Sequence, residues 1–264
     1  MSAFGGYLAL QGYSFRRRLF GWKALPTLAI ALVPSLVAFL FVRFADQAHG
    51  GDVPSPYRLY GEFLAPMSLY FVLPFASMLT MLPVLHELYD RGSIAYLVTR
   101  PAPRWVSLAG LYGGGLLAAL PFLAVAAILP TLLLLPESSG IDGRFWFRRT
   151  LGLAGVLWIG CAPYGALCLF LGVWSRKAVL WALGLLIGWG SIAGSITGPL
   201  RTFSPHRYLG ELMREWLDIE NAWGSFFVPD PEPPGVFVSV LALAAFTVLF
   251  LGMAIRAVRH RDIL

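Results

Sequence analysis

The sequence predicts an all-α polytopic membrane protein: six transmembrane helices, an N-terminal interfacial helix, and a helical outer segment between spans five and six. Three observations carry this. Of 264 residues 58% are hydrophobic and only 13% charged, where a globular domain carries roughly a quarter charged. The few charges gather in short clusters. Between the clusters lie six apolar stretches, 24–42, 63–85, 105–135, 151–174, 178–200 and 235–255, none of which holds Asp, Glu, Lys, Arg or His. A helix needs about 20 such residues to cross lipid.

The stretches read as helices and not as barrel strands, because barrel strands alternate polar and apolar positions and these runs are apolar on every side. The basic cluster Arg16-Arg17-Arg18 precedes the first run, which is longer than a signal-peptide core and lacks a small-x-small cleavage site. It reads as a retained span. The whole of 1–264 then forms a single transmembrane domain.

Orientation follows the Lys and Arg distribution. With both termini cytoplasmic, in a cell (inner) membrane, the inner segments hold 12 of the 20 basic residues and 3 of the 14 acids, a net +9 against −3 outside. Arg144, Arg148 and Arg149 dissent, falling on the outer side. The overall net charge of +6 is thus of the topogenic kind, and no nucleic-acid partner is expected. Membrane lipids are the expected surroundings.

Residues 1–23 mix apolar side chains with the Arg cluster, as suits an elbow helix in the inner interface with its basic ends snorkelling to water. After span five, Ser204-Pro205 offers an N-cap and a first helical residue. Leu209, Leu212, Met213, Trp216 and Leu217 then share one face and Glu211, Arg214, Glu215 and Asp218 the other. This predicts an amphipathic helix on the outer leaflet within the extracytoplasmic loop 201–234. In span five, Gly184, Gly188, Gly190, Gly194 and Gly198 supply small residues for close helix packing, within the bundle or across a dimer. Pro26, Pro34, Pro74, Pro121, Pro130 and Pro163 imply kinks. Cys161 and Cys168 are seven apart on one helix, about 10 Å by helical rise, too far for a disulfide.

Several chemistries are missing from the pattern. The spans hold no ionisable group to carry a coupling proton or ion. His49, His86, His206 and His260 all fall in expected loops or the tail, so no metal site and no intramembrane catalytic group is expected. Lys23 and Lys177 are each followed by Ala, so neither belongs to a phosphate-cradling loop. The chain is not expected to be an enzyme, and energy for transport would have to enter through another subunit.

The cytoplasmic loop 86–104 is the candidate port. Glu87, Tyr89, Asp90 and Arg91 precede Gly92-Ser93, then a short apolar stretch with Tyr96 and Leu97, closed by Thr99, Arg100 and Pro101. The stretch is too short to span and too apolar for a plain linker. In this order the residues resemble the ABC type-2 permease family, membrane halves of ATP-driven exporters. Glu87, Arg91, Gly92, Ser93, Leu97, Thr99 and Pro101 match the family's pattern, and Arg104-Trp105 continue it; Ala95 and Leu111 depart, standing where a Glu and a Lys are common. The resemblance implies a permease that pairs with a separate ABC ATPase subunit, where ATP and Mg would bind, and with a second permease copy. It also implies that residues 88–100 form a coupling helix seated on the ATPase. The alternative is a six-span membrane scaffold or assembly factor that moves nothing.

Overall fold

The computed structural model describes residues 3–22, 24–45, 55–90, 104–136, 143–175, 177–185, 202–218 and 234–260, with the backbone alone for 3–6, 9–10, 84–90, 104 and 259–260. Among them every regular element is helical, and five helices are long and apolar enough to cross a membrane. The expectation of an all-helical membrane protein holds at that level. The chain runs through α1 (Ala3–Phe20), α2 (Ala24–Ala31), α3 (Val33–Ala45), α4 (residues 56–90), α5 (Arg104–Leu134), α6 (Gly143–Trp174), α7 (Ala178–Leu183), α8 (Pro205–Leu217) and α9 (Val236–His260).

Proline chemistry accounts for the irregularities. The first span breaks into α2 and α3 at Leu32, two residues before Pro34, which has no N–H for the preceding turn. In α4 two wide π-helical turns, Tyr60–Leu64 and Ser68–Val72, lie on either side of Pro66, and Pro74 follows the second. A wider turn lets a proline ring pass the carbonyl it would strike in an α-helix. Ser55 starts α4 by accepting a hydrogen bond from Arg58 N–H at 3.3 Å. The second span therefore begins two turns before the apolar run at 63.

The fourth span also starts early. α6 begins at Gly143, so Arg144, Arg148 and Arg149 stand on its first turns and not in a loop. α6 is the central helix: 72% of its most apolar window is buried, against 28% for the first span and 11% for α9. Phe237, Val248 and Leu241 on α9 face outward, as lipid-facing side chains do.

α1 is a helix, as expected, but it is docked into the bundle. It crosses α5 at Gly113, Gly114 and Gly115. A Cβ at Gly114 would lie 2.6 Å from Ser14 Cβ and 2.7 Å from the Gln11 carbonyl oxygen; one at Gly113 would lie 2.9 Å from the Tyr7 hydroxyl. Only glycine lets the two backbones approach this closely. The side chains of Tyr7, Gln11, Ser14 and Arg18 thus meet one notch on α5.

Span five is described only to residue 185. A Cβ at Gly184 would meet nothing within 4 Å, so this glycine makes no close helix approach among the described residues. Gly188, Gly190, Gly194 and Gly198 lie outside them.

Replacing Gly114 by Ala should cost about 1–3 kcal/mol through overpacking against the α1 backbone. The same change at Gly252, where nothing lies within 4 Å, should leave stability unchanged. Thermal unfolding of the two variants in detergent checks both.

Candidate functional site

The residues expected to couple the chain to an ATPase lie around the end of α4 and the start of α5. Glu87 and Tyr89 fall on the last turns of α4, which runs through Asp90. Arg91, Gly92, Ser93, Tyr96, Leu97, Thr99, Arg100 and Pro101 lie outside the described residues, which resume at Arg104 with α5.

What the structure describes is the base of that loop. Arg18 projects from α1 into the space between α4 and α5. Its Nη1 donates to the Leu111 carbonyl at 3.0 Å and sits 3.7 Å from Met81 Sδ; Ser14 Oγ adds a longer contact of 3.5 Å to the same carbonyl. The expectation that the Arg cluster snorkels to water fails for this member. Arg18 is 6% exposed, whereas Arg16 is exposed. Among the described residues, Arg18 Nε and Nη2 have no hydrogen-bond partner. Burial lowers its pKa to about 9, which leaves it cationic at neutral pH. The elbow helix thus sets a cation beside apolar runs whose own sequences carry none. A buried cation with unmatched donors is costly and is commonly functional.

A second constellation surrounds α8. The sequence places this helix on the outer leaflet; in the structure its buried face lies along α6. Leu209 packs at Gly160, Trp216 at Gly155 and Leu217 at Gly152, and His206 meets Tyr164, so α8 runs antiparallel to α6. Gly152, Gly155 and Gly160 provide the bed, just as Gly113–Gly115 do for α1. Leu209, Leu212, Met213 and Leu217 are buried, as their shared face predicts. Glu211, expected on the solvated face, is also buried at 8% and pairs with Arg214 at 2.8 Å.

The depth of α8 follows from α6. Residues 150–175 hold no charge, a length of about 39 Å by helical rise. Tyr164 is near the middle of that stretch, so the first turn of α8 lies level with its middle and the last turn level with its N-terminal end. His206 is therefore not a loop residue but a buried one. Its Nδ1 is 2.9 Å from the Tyr164 hydroxyl, and its ring packs against Tyr70 and Tyr164 with centroids 5.1 and 5.4 Å away. Arg207, Arg214 and Glu215 on the other face bring charge beside this uncharged stretch; next to an apolar span, charged side chains face water or protein.

Arg149 fixes the C-terminal end of α8. It is 3% exposed, with its guanidinium carbon 4.3 Å from the centre of the Tyr57 ring and 4.4 Å from that of Phe145. Nη2 donates to Tyr57 Oη at 2.8 Å and to the Asp218 carbonyl at 3.0 Å. Asp218 ends α8 in the left-handed conformation, φ 53° and ψ 49°, and returns its N–H to the Arg214 carbonyl. A cation at a helix C-terminus meets the negative end of the dipole. One of the dissenting outer arginines is thereby explained as a clamp between α4, α6 and α8. Sequence reasoning missed it; the only hint was a cationic cluster abutting an apolar run without a proline or glycine to stop the helix.

Cys161 and Cys168 are free and buried, and Ser77 Oγ lies 3.6 Å from Cys161 Sγ.

Arg149→Leu should lower stability by about 2–3 kcal/mol, as expected for losing charge-assisted hydrogen bonds. Arg149→Lys should recover little, because a lysine cannot stack between two rings while forking to two acceptors. Chemical unfolding in mixed micelles measures both. Compared with protein-family models and with curated protein sequences, the chain matches none.

Proposed function

We propose that the chain is the permease subunit of an ATP-driven exporter, working beside a second permease copy and taking force from a separate ATPase through the loop after α4. The observation that carries this reading is the seat of α1. One buried side chain, Arg18, touches Met81 on α4 and Leu111 on α5, the two helices that flank the loop. A push on the loop is then delivered to a braced base and passes into both helices, and the bundle answers as a body. A loosely attached loop would absorb the push locally.

The motif from Glu87 to Pro101 supplies the candidate contact with the ATPase, with Tyr96 and Leu97 as its apolar anchors. α8 suits the other half of the task. Charges on a helix that lies along an apolar span need an aqueous or protein-lined boundary, and a path between two permease copies supplies one. The two π-helical turns of α4 add to this, since such turns recur where helices adjust during function.

Gentle solubilisation and affinity capture from the native host should bring down an ATPase with the chain. Tyr96→Asp with Leu97→Asp should release that ATPase, or uncouple its hydrolysis from cargo movement, without changing the thermal stability of the captured chain. Capture with no ATPase at any detergent strength would instead favour the scaffold reading. Coupled activity surviving in the double variant would remove the loop from the mechanism.

A further inference from the structure

A cleft of about 340 Å³ opens beside the first turn of α8, walled by Pro163, Leu167, Phe170 and Leu171 of α6, by Leu185 just past α7, and by Phe250 of α9. Its polar groups come from one place, the Tyr164–His206 pair. We propose that this cleft binds an acyl-chain amphiphile, holding the chain against the apolar wall and a neutral carbonyl or ester oxygen at His206.

The hydrogen-bond inventory sets the chemistry. Tyr164 is 3% exposed and its hydroxyl meets His206 Nδ1 alone among the described residues. A buried hydroxyl proton needs an acceptor, and a neutral imidazole has one acceptor nitrogen. Tyr164 therefore donates to Nδ1, and the ring proton sits on Nε2. No described residue bonds Nε2, and the ring forms part of the cleft wall, so one N–H donor is offered to the occupant. Among the described residues no Asp, Glu, Lys or Arg lines the cleft, so a fully charged headgroup meets no counter-charge from them. The complement is a neutral acceptor.

Size and position agree. With about 30 Å³ for each water-sized group, the cleft takes a chain of roughly eleven such groups, in the range of small-ligand sites. It opens beside the middle of α6, a helix long and apolar enough to cross a membrane, at the level where acyl chains would surround it, and Phe203 at its edge is 64% exposed. At the adjoining helix start, Ser204 makes no cap bond and its Oγ, 2% exposed, has no partner. The first turn of α8 therefore presents the positive end of its dipole to a ligand oxygen without a competing side-chain cap. The site would exist whether or not the chain couples to an ATPase.

Photolabelling of the purified chain in phosphatidylcholine nanodiscs tests this with a diazirine-bearing methyl palmitate. Saturable labelling of peptides holding residues 163–171 and 203–206 is expected, competed by methyl palmitate at least tenfold better than by hexadecane, which has no acceptor. Leu167→Trp, which fills the cleft, should abolish it. Phe203→Asp, at the exposed edge, should weaken it several-fold without disturbing the fold. In a second arm, a phosphatidylcholine carrying the diazirine on its acyl chain identifies the occupant as bilayer lipid if it labels the same peptides saturably, and as a free single-chain amphiphile if it does not. Non-saturable labelling spread equally over α9 would mean annular lipid only and would overturn the proposal. Equal competition by hexadecane would overturn the role of His206.

Discussion

A side chain at Gly114 would push α1 off α5, and with it would withdraw Arg18 from between α4 and α5. The close approach at Gly113–Gly115 is therefore the constraint on which the inner half of the molecule depends. Lipid does not drive helices together as water does, so association there rests on van der Waals fit and on satisfied polar groups. Glycine supplies the fit. Arg18 supplies a polar contact that is only partly satisfied, with Nε and Nη2 unmatched. By stability alone an apolar residue of similar volume would serve as well or better. That a guanidinium stands there argues that the position answers to function, and its two helix contacts lie at the base of the loop that would receive the ATPase.

The outer half repeats the device with different parts. Gly152, Gly155 and Gly160 let α8 lie along α6, and Arg149 closes the far end on the Asp218 carbonyl. The result is a short amphipathic helix held along the uncharged stretch of α6, apolar face inward, with its first turn at the Tyr164–His206 cleft. Both constellations place cations beside apolar spans. Arg18 and Arg149 each donate to a backbone carbonyl, whereas Arg214 pairs with the buried Glu211.

How much of this was legible depended on whether one dimension suffices. Apolar runs at 105–135 and 235–255 anticipated α5 and α9 closely, because lipid-length hydrophobicity is a property of the run itself. The start of α6 was not legible: charges at Arg144, Arg148 and Arg149 read as a loop, although nothing in 143–150 breaks a helix. The apolar face of α8 was read correctly from its periodicity, yet its seat was not, since periodicity names a face and not the surface that meets it. His206 was read as a loop residue for the same reason. The glycines of α5 and α6 are plain in the sequence, but the longer glycine series in span five is the stronger packing signal there. A glycine is informative only when the element that fills its notch is known. The coupling residues Arg91 to Pro101 rest on the motif alone.

The account turns on α1 being a docked part of the bundle and not a peripheral helix resting on the inner leaflet. Hydrogen–deuterium exchange of the unmodified chain in nanodiscs separates the two directly. If the Gly113–Gly115 notch holds, amides of residues 11–18 exchange as slowly as those of residues 111–118 on α5. Exchange of residues 11–18 within seconds, while α5 stays protected, would contradict it.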